Sequence, residues 1–509
     1  MTENVVVIGG GLAGLSATLH LAEQEGILVH LVSDMYSERS QSCLAEGGIN
    51  VAIGPGDTPE QHFQDTWKSG CGLADSEALM AMVLSAPEIV RELEEWGVPF
   101  VKASDRSFAL RTMGGHSRPR TAYAVNGIGR QIMDVLIQRV RKAEAEKRVL
   151  RYVNRVFRAL AKQNDRVCGV WLEQLDTHEM EFVPGRVIMA CGGMNGFFGN
   201  ATGSIANTGL AASALFADGV QFSNLEFIQF HPTTLRLREK NLLISEAARS
   251  EGGRLFVMKS GKPFYFMEEM YGKQGDLMSR DIVSREEWRL MKQGFDVYLD
   301  LRGLPDAVYQ ASLSGIVSDC MSFAGIDPRK DPLPVEPGIH YFMGGIKVDK
   351  SHRSSVWGLY AAGECACQYH GANRLGGNSL LGAFYGGKKA AEAVMNDLDD
   401  GSVAEYRGKT PVRSDAFSWG PLQDLMRSAM GVERNGQQLE EALSRLADLS
   451  LPNEIQLLGR AILLSALNRM ESRGSHRRSD YPDSNPKFQK NSVVQVRNGE
   501  VHFSWEEKP

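Results

Sequence analysis

The chain opens on a short apolar run, Val5 to Ile8, followed by Gly9-Gly10-Gly11-Leu12-Ala13-Gly14. A helical pattern through Ala17, Leu19 and Leu21 comes next, then Ile27 to Val32 as a second strand. Strand, glycine turn, helix and strand within about 30 residues form the unit that binds a dinucleotide. Gly9 permits the tight turn, Gly11 lets the backbone approach a pyrophosphate, and Gly14 allows the helix to pack closely on the strand. The helix N-terminus then meets phosphates with free N–H groups and the positive end of its dipole. Ser33 and Asp34 both stand where a ribose hydroxyl would be met, and Ser33 is the preferred partner. By itself this unit does not separate NAD from FAD.

Helical periodicity returns at Glu77 to Trp96 and Gly129 to Glu146, and strand-like runs follow at Val149 to Val153, Val167 to Glu173 and Arg186 to Met189. The last runs into Ala190-Cys191-Gly192-Gly193, a second glycine turn. From about Thr233 to Pro337 the periodicity changes character, which predicts an inserted second domain. Trp357 to Ala362 is again a strand, entering Gly363-Glu364, and Gly376 to Ala391 is a glycine turn feeding a helix. Beyond about Asp400 the pattern is helical and polar, best at Leu439 to Leu449 and Glu454 to Arg469.

With 509 residues, two or three domains are expected. A net charge of -6 and the lack of a basic cluster beside aromatics argue against nucleic acid as a partner. No apolar run has the roughly 18 to 20 residues that span a bilayer, and no charged-then-apolar leader is visible, so a cytoplasmic protein is expected. The seven cysteines are scattered without a CxxC pair, which predicts free thiols and no metal site in this chain.

Several motifs resemble one family, the flavoproteins that include succinate dehydrogenase, fumarate reductase and L-aspartate oxidase. They are Ala45-Glu46-Gly47-Gly48-Ile49-Asn50, Gln229-Phe230-His231-Pro232-Thr233, Ser279 to Arg285, His340-Tyr341-Phe342-Met343-Gly344-Gly345, the run His370 to Leu381, and Glu471-Ser472-Arg473-Gly474-Ser475-His476. The resemblance implies an α/β Rossmann-like FAD-binding domain at residues 1–232 and 338–400. It also implies an inserted α+β capping domain at 233–337 and a C-terminal helical domain at 401–509. Cofactor contacts are then expected from Gly9, Gly11, Leu12, Ala13, Gly14, Ser33, Ser40, Gln41, Ser42, Gly47, Gly48, Ala190, Gly192, Glu364, His370, Asn378, Ser379 and Leu380.

For the substrate, the resemblance implies a four-carbon dicarboxylate, with His231 and His340 holding one carboxylate each from opposite sides of the cleft. Arg374 adds a charged contact and Ser245 a hydroxyl. Arg280 is implied as proton donor, fed by Glu246 and Arg249, which lie three apart and would share a helix face. An iron–sulfur partner chain is expected, with any membrane association made through partner subunits.

Three departures sharpen this picture. The respiratory members carry the flavin on a histidine, and the matching position here is Gln41, whose amide cannot form that bond. FAD is therefore expected to be non-covalent and the enzyme to lean toward fumarate reduction. Where L-aspartate oxidase resembles this stretch but carries a glutamate for the substrate ammonium, this chain has Met113 in Arg111-Thr112-Met113-Gly114-Gly115-His116-Ser117. An ammonium there would be buried unpaired, at several kcal/mol. His116 and Ser117 keep the oxidase alternative open, and reduction of a related unsaturated acid in place of fumarate is a separate alternative. Finally, the chain stops soon after Tyr481-Pro482-Asp483, so part of the surface for an iron–sulfur partner is expected to be altered.

Overall fold

The structure is a computed structural model that describes residues 2–125, 127–204, 206–237, 241–400, 405–411 and 417–507. At its centre lies a five-stranded parallel sheet in the order Leu359–Ala361, Arg186–Met189, Glu3–Ile8, Ile27–Ser33, Val149–Val153. Such strands are covered on both faces, which is why Val5, Val6 and Val7 form an unbroken apolar run with no exposure at all. Ile8 pairs with both Met189 and Val32, and Met189 with Ala361. The loops after these strands therefore emerge side by side at one sheet edge, where open α/β sheets bind ligands.

Close packing at that edge is bought with glycine. A Cβ on Gly14 would lie 1.8 Å from the Gly9 carbonyl oxygen. On Gly387 it would lie 2.3 Å from the Ala13 carbonyl, where the helices Leu12–Ala22 and Asn378–Asn396 cross. The expected helices appear as Ser76–Glu95 and Ile128–Ala145. The expected strand Val167 to Glu173 appears as Arg166–Gln174, but in a separate antiparallel sheet with Arg155–Gln163 and Met180–Pro184.

Strands Ile228–Arg236 and Glu336–Phe342 pair antiparallel and carry the chain into and out of the inserted unit. Between them lies a four-stranded antiparallel sheet, several helices including Arg280–Met291, and a separate apolar core through Leu242, Leu255, Val283, Leu299 and Val335. The boundaries expected at 233 and 337 fall within the two carrier strands.

The start expected for the third region, 401, lies outside the described residues. Its helices are Trp419–Ala429, Gly436–Ala447 and Asn453–Asn468. They are followed by a hairpin, Asn491–Arg497 with Glu500–Glu506, that the sequence reading did not anticipate. Asn498 and Gly499 make its turn at φ 52° and 80°, as two-residue hairpins require. Its first strand pairs with Phe222–Ser223, so the chain's last described element completes a sheet of the first domain.

Candidate active site

A cleft of about 1840 Å³, including its open mouth, runs from the loops at the sheet edge to the carrier strands of the inserted unit. Every residue expected to touch a cofactor lines it except Gly14, His370 and Asn378. Gly14 acts one layer down, in the helix-on-strand contact described above. His370 sits behind the wall, its ring against Tyr341 and Tyr369 at centroid distances of 5.4 and 6.1 Å. The Asn378 side chain is consumed internally: it accepts from Asn50 at 2.7 Å, bonds His62 Nε2 at 2.9 Å and donates to Thr66 at 2.9 Å. These two residues shape the wall rather than face the cleft.

At the far end the walls become charged. Arg280 opens the helix Arg280–Met291 and is 7% exposed. Its Nε and Nη2 donate to Glu246 Oε2 at 3.0 and 2.8 Å, and its Nη1 to Gln229 Oε1 at 3.1 Å. Of five guanidinium N–H groups, these bonds occupy three, and two remain for the cleft. Glu246 also accepts from the Gly114 N–H at 2.6 Å. Arg249, one helical turn on, lies 3.7 Å from it, so the expected three-residue spacing does place them together. Arg249 does not line the cleft.

The histidines require a correction. The register that sets His231 opposite Gly338 brings the rings of His231 and His340 to 5.0 Å, edge to face. They stand together on one wall, not on opposite sides. Thr233 engages His231 Nδ1 through its carbonyl oxygen at 3.2 Å and its N–H at 3.3 Å, and Thr202 engages His340 Nδ1 at 2.7 Å. The other nitrogen of each ring is left for a ligand. Ser245 lines the cleft as expected.

Sequence reasoning missed the group that joins the two arginines. Gln229 accepts from Arg280 while its Nε2 donates to the Arg374 carbonyl and to Asn373 Oδ1, both at 2.7 Å. It stands two residues before His231 in one strand, and the period of two was the available signal. Tyr341 was also missed; its ring lies under the Arg374 guanidinium at 4.4 Å.

The family model described as FAD binding domain matches residues 4–380, and that described as fumarate reductase flavoprotein C-term matches residues 452–508. The chain belongs to the succinate dehydrogenase and fumarate reductase flavoprotein family. It is 36% identical to the succinate dehydrogenase flavoprotein subunit of Bacillus subtilis, over 95% of this chain and 92% of that one. It is 34% identical to the L-aspartate oxidase of Pyrococcus furiosus, over 97% and 99%. Among solved structures, the Mycobacterium smegmatis Sdh1 complex in the apo form aligns at a TM-score of 0.83 and 27% identity, over 99% of this chain and 94% of that chain.

FAD is the cofactor of this family, and the flavoprotein's own cleft fits it. The helix Leu12–Ala22 has no side-chain cap, which leaves its first N–H groups to a pyrophosphate apart from Leu12, whose N–H donates to Ser42 Oγ at 3.0 Å. Ser33 and Asp34 both line the cleft. Gly48, at φ 136°, has space on its Cβ side for nothing: a methyl there would meet Thr121 at 2.3 Å. Gln41 lines the wall, its amide oxygen accepting from the Ser204 N–H.

Electrostatics divide the flavoprotein's cleft. Burial pushes the Glu364 carboxyl up to about 7, against the Phe342 N–H and Arg374, which act to lower it. Burial would also raise Glu246, but Arg280 and Arg249 outweigh it and hold that carboxyl at about 2. Burial, with Arg280 beside both rings, drives His231 and His340 well below the ordinary histidine range, so both are neutral. Arg374 is pulled down to about 9 by burial and by Arg280, and its buried Nε has no hydrogen-bond partner among the described residues.

Proposed function

We propose that this flavoprotein interconverts fumarate and succinate, with reduction of the alkene as the favoured direction. The observation that carries the reading is Arg374, a guanidinium 3% exposed that lines the cleft and whose buried Nε has no hydrogen-bond partner among the described residues. Arg280 and Arg374 are buried guanidiniums that line the cleft, and Arg280 is paired there with the ionised Glu246 carboxylate. A dicarboxylate brings further negative charge to both. Arg374 would hold one carboxylate; His231, His340 and Ser245 would donate to the other.

Bound FAD supplies the hydride chemistry and would lie along the glycine turns at Gly9 to Gly11, Gly47 to Gly48 and Gly192, with Glu364, Ser379 and Leu380 beside it. The protein's own part is the proton. Hydride addition to one alkene carbon leaves carbanion-like charge on the other, stabilised by the cationic groups that hold the carboxylates. One of the two free N–H groups of Arg280 delivers a proton there, and Glu246 is placed to return it. Gln41 offers no atom for a covalent flavin link, which supports non-covalent FAD and, with it, the reductive direction.

L-aspartate oxidation, with O2 or fumarate as acceptor, is the second reading, supported by the similarity to such oxidases. Against it stands Met113, 1% exposed in the cleft wall. A substrate ammonium would meet a thioether there instead of a carboxylate. The names of the relatives as subunits support an iron–sulfur partner chain, and a place in the cytoplasm or at its membrane face through that partner. Among the described residues no helix is long and apolar enough to cross a membrane.

The test is fumarate reduction by the FAD-loaded protein with reduced viologen, beside an L-aspartate oxidation assay. Fumarate turnover without peroxide from aspartate is the expected result. Peroxide formation from aspartate with negligible fumarate turnover would overturn it in favour of the oxidase.

A further inference from the structure

Behind the substrate end lies a second cavity, of about 790 Å³ including its open mouth, between the helix that begins with Arg280 and the segments 472–477 and 482–484. Gln229 and Asn373 line this cavity and not the cleft. With open space on that side, packing alone does not hold their amides, and hydrogen bonds do. Those bonds form one line. Arg280 Nη1 donates to Gln229 Oε1 at 3.1 Å, Gln229 Nε2 to Asn373 Oδ1 at 2.7 Å, and Asn373 Nδ2 to Asp281 Oδ1 at 3.0 Å. Asp281 is half-buried on the cavity wall, and the same oxygen accepts from Ser279 Oγ at 2.6 Å.

A side-chain amide has a donor end and an acceptor end, whereas an ionised carboxylate only accepts. Asp281 therefore turns the Asn373 NH2 toward itself. The Asn373 side-chain oxygen is left for Gln229, whose own NH2 turns to meet it, and the Gln229 oxygen is left for the Arg280 cation. Ser69 Oγ, 3.3 Å from Asn373 Nδ2, and the Arg374 carbonyl, 2.7 Å from Gln229 Nε2, act in the same sense. The opposite orientation would set two donors against each other at Arg280 and remove one of the three bonds that hold it.

We infer that Asp281 is a positioning residue for the proposed reduction: acting through Asn373 and Gln229, it fixes which N–H groups of Arg280 are held and which are left for the substrate. The inference rests on the fumarate-reducing reading above. Asp281 does not itself line the cleft, and its effect reaches the substrate only through Arg280.

Asp281 also stands in the first turn of the helix, where a carboxylate is stabilising whatever lies beyond it. Asp281→Asn keeps the shape and one accepting oxygen but removes the charge that orients the line. Helix support alone predicts a lower melting temperature with normal kinetics. The inference predicts retained FAD, an unchanged KM for fumarate and a kcat lower by about fivefold, the scale of coupling within one hydrogen-bonded network. It further predicts a larger solvent deuterium isotope effect. Once Gln229→Leu has broken the line, or Asn373→Leu if the first variant does not retain FAD, adding Asp281→Asn should cost nothing more in the residual kcat. An unchanged kcat in Asp281→Asn, or the same loss repeated in the broken background, would overturn the inference alone. A wild-type holoenzyme that does not reduce fumarate would overturn the functional reading and this role with it.

Discussion

The two ends of the cleft are built by different means. The cofactor end is mostly backbone: glycines at 9, 11, 47, 48 and 192 form the surface, and a missing Cβ is the functional feature. The substrate end is mostly side chain: Arg280, Glu246, Gln229 and Arg374 are joined by bonds of 2.7–3.1 Å and buried among protein. Backbone recognition fails by steric exclusion, so damage there should appear as lost cofactor. Recognition by charged side chains fails chemically, in a protein still folded and still yellow.

The sharpest way to break that contrast is Gly14→Ala. Its methyl would lie 1.8 Å from the Gly9 carbonyl, and the expected result is protein without flavin absorbance or without soluble yield. A normally loaded variant would mean that the backbone at the turn yields. Arg280→Lys should retain FAD and lose about 10³-fold in kcat, the scale of a positioned acid, since lysine cannot reproduce both contacts to Glu246 and one to Gln229. Turnover within tenfold of wild type would remove Arg280 as proton donor.

Arg374→Gln should raise the KM for fumarate by about 10 to 100-fold, from the 1.5–3 kcal/mol of a charge-assisted bond, with a smaller change in kcat. A pure kcat effect would place Arg374 in the transition state only. The smallest expected effect concerns pH. The Glu364 carboxyl ordinarily titrates at 4.5 and in the folded protein near 7. The folded state therefore binds its proton more tightly, so stability from this group is present below pH 4.5 and falls as pH rises to about 7. Thermal unfolding of the flavin-free protein should show a shallower loss over that window in Glu364→Gln.

The cofactor end was legible in the sequence because its signals are local. Glycine spacing, a preceding strand and a following helix fall within one short window, and all but three of the named contacts reach the cleft. The substrate end was legible in identity but not in arrangement. Residues 229, 246, 280, 340 and 374 come from five separate segments, and only strand register could reveal that His231 and His340 share a wall. His370 shows the limit in reverse, since a histidine inside a matching motif can serve to back a tyrosine. The terminal hairpin was missed although Asn498-Gly499 between alternating apolar residues announces it; the helical periodicity before it set the expectation for the whole region.

That hairpin has a consequence for how the protein comes to exist. Ser223 and Ser492 meet across 269 residues of chain, and Glu226 is clasped by Arg469 in a fully buried pair. Until those later segments leave the ribosome, one edge of Phe222–Ser223 stays bare and Glu226 lacks the Arg469 guanidinium that clasps it. Assembly of the flavin domain is thus a late, long-range event, and a chain interrupted shortly before its hairpin should be recognised by the cell as unfinished although every glycine turn and every active-site residue has already been made.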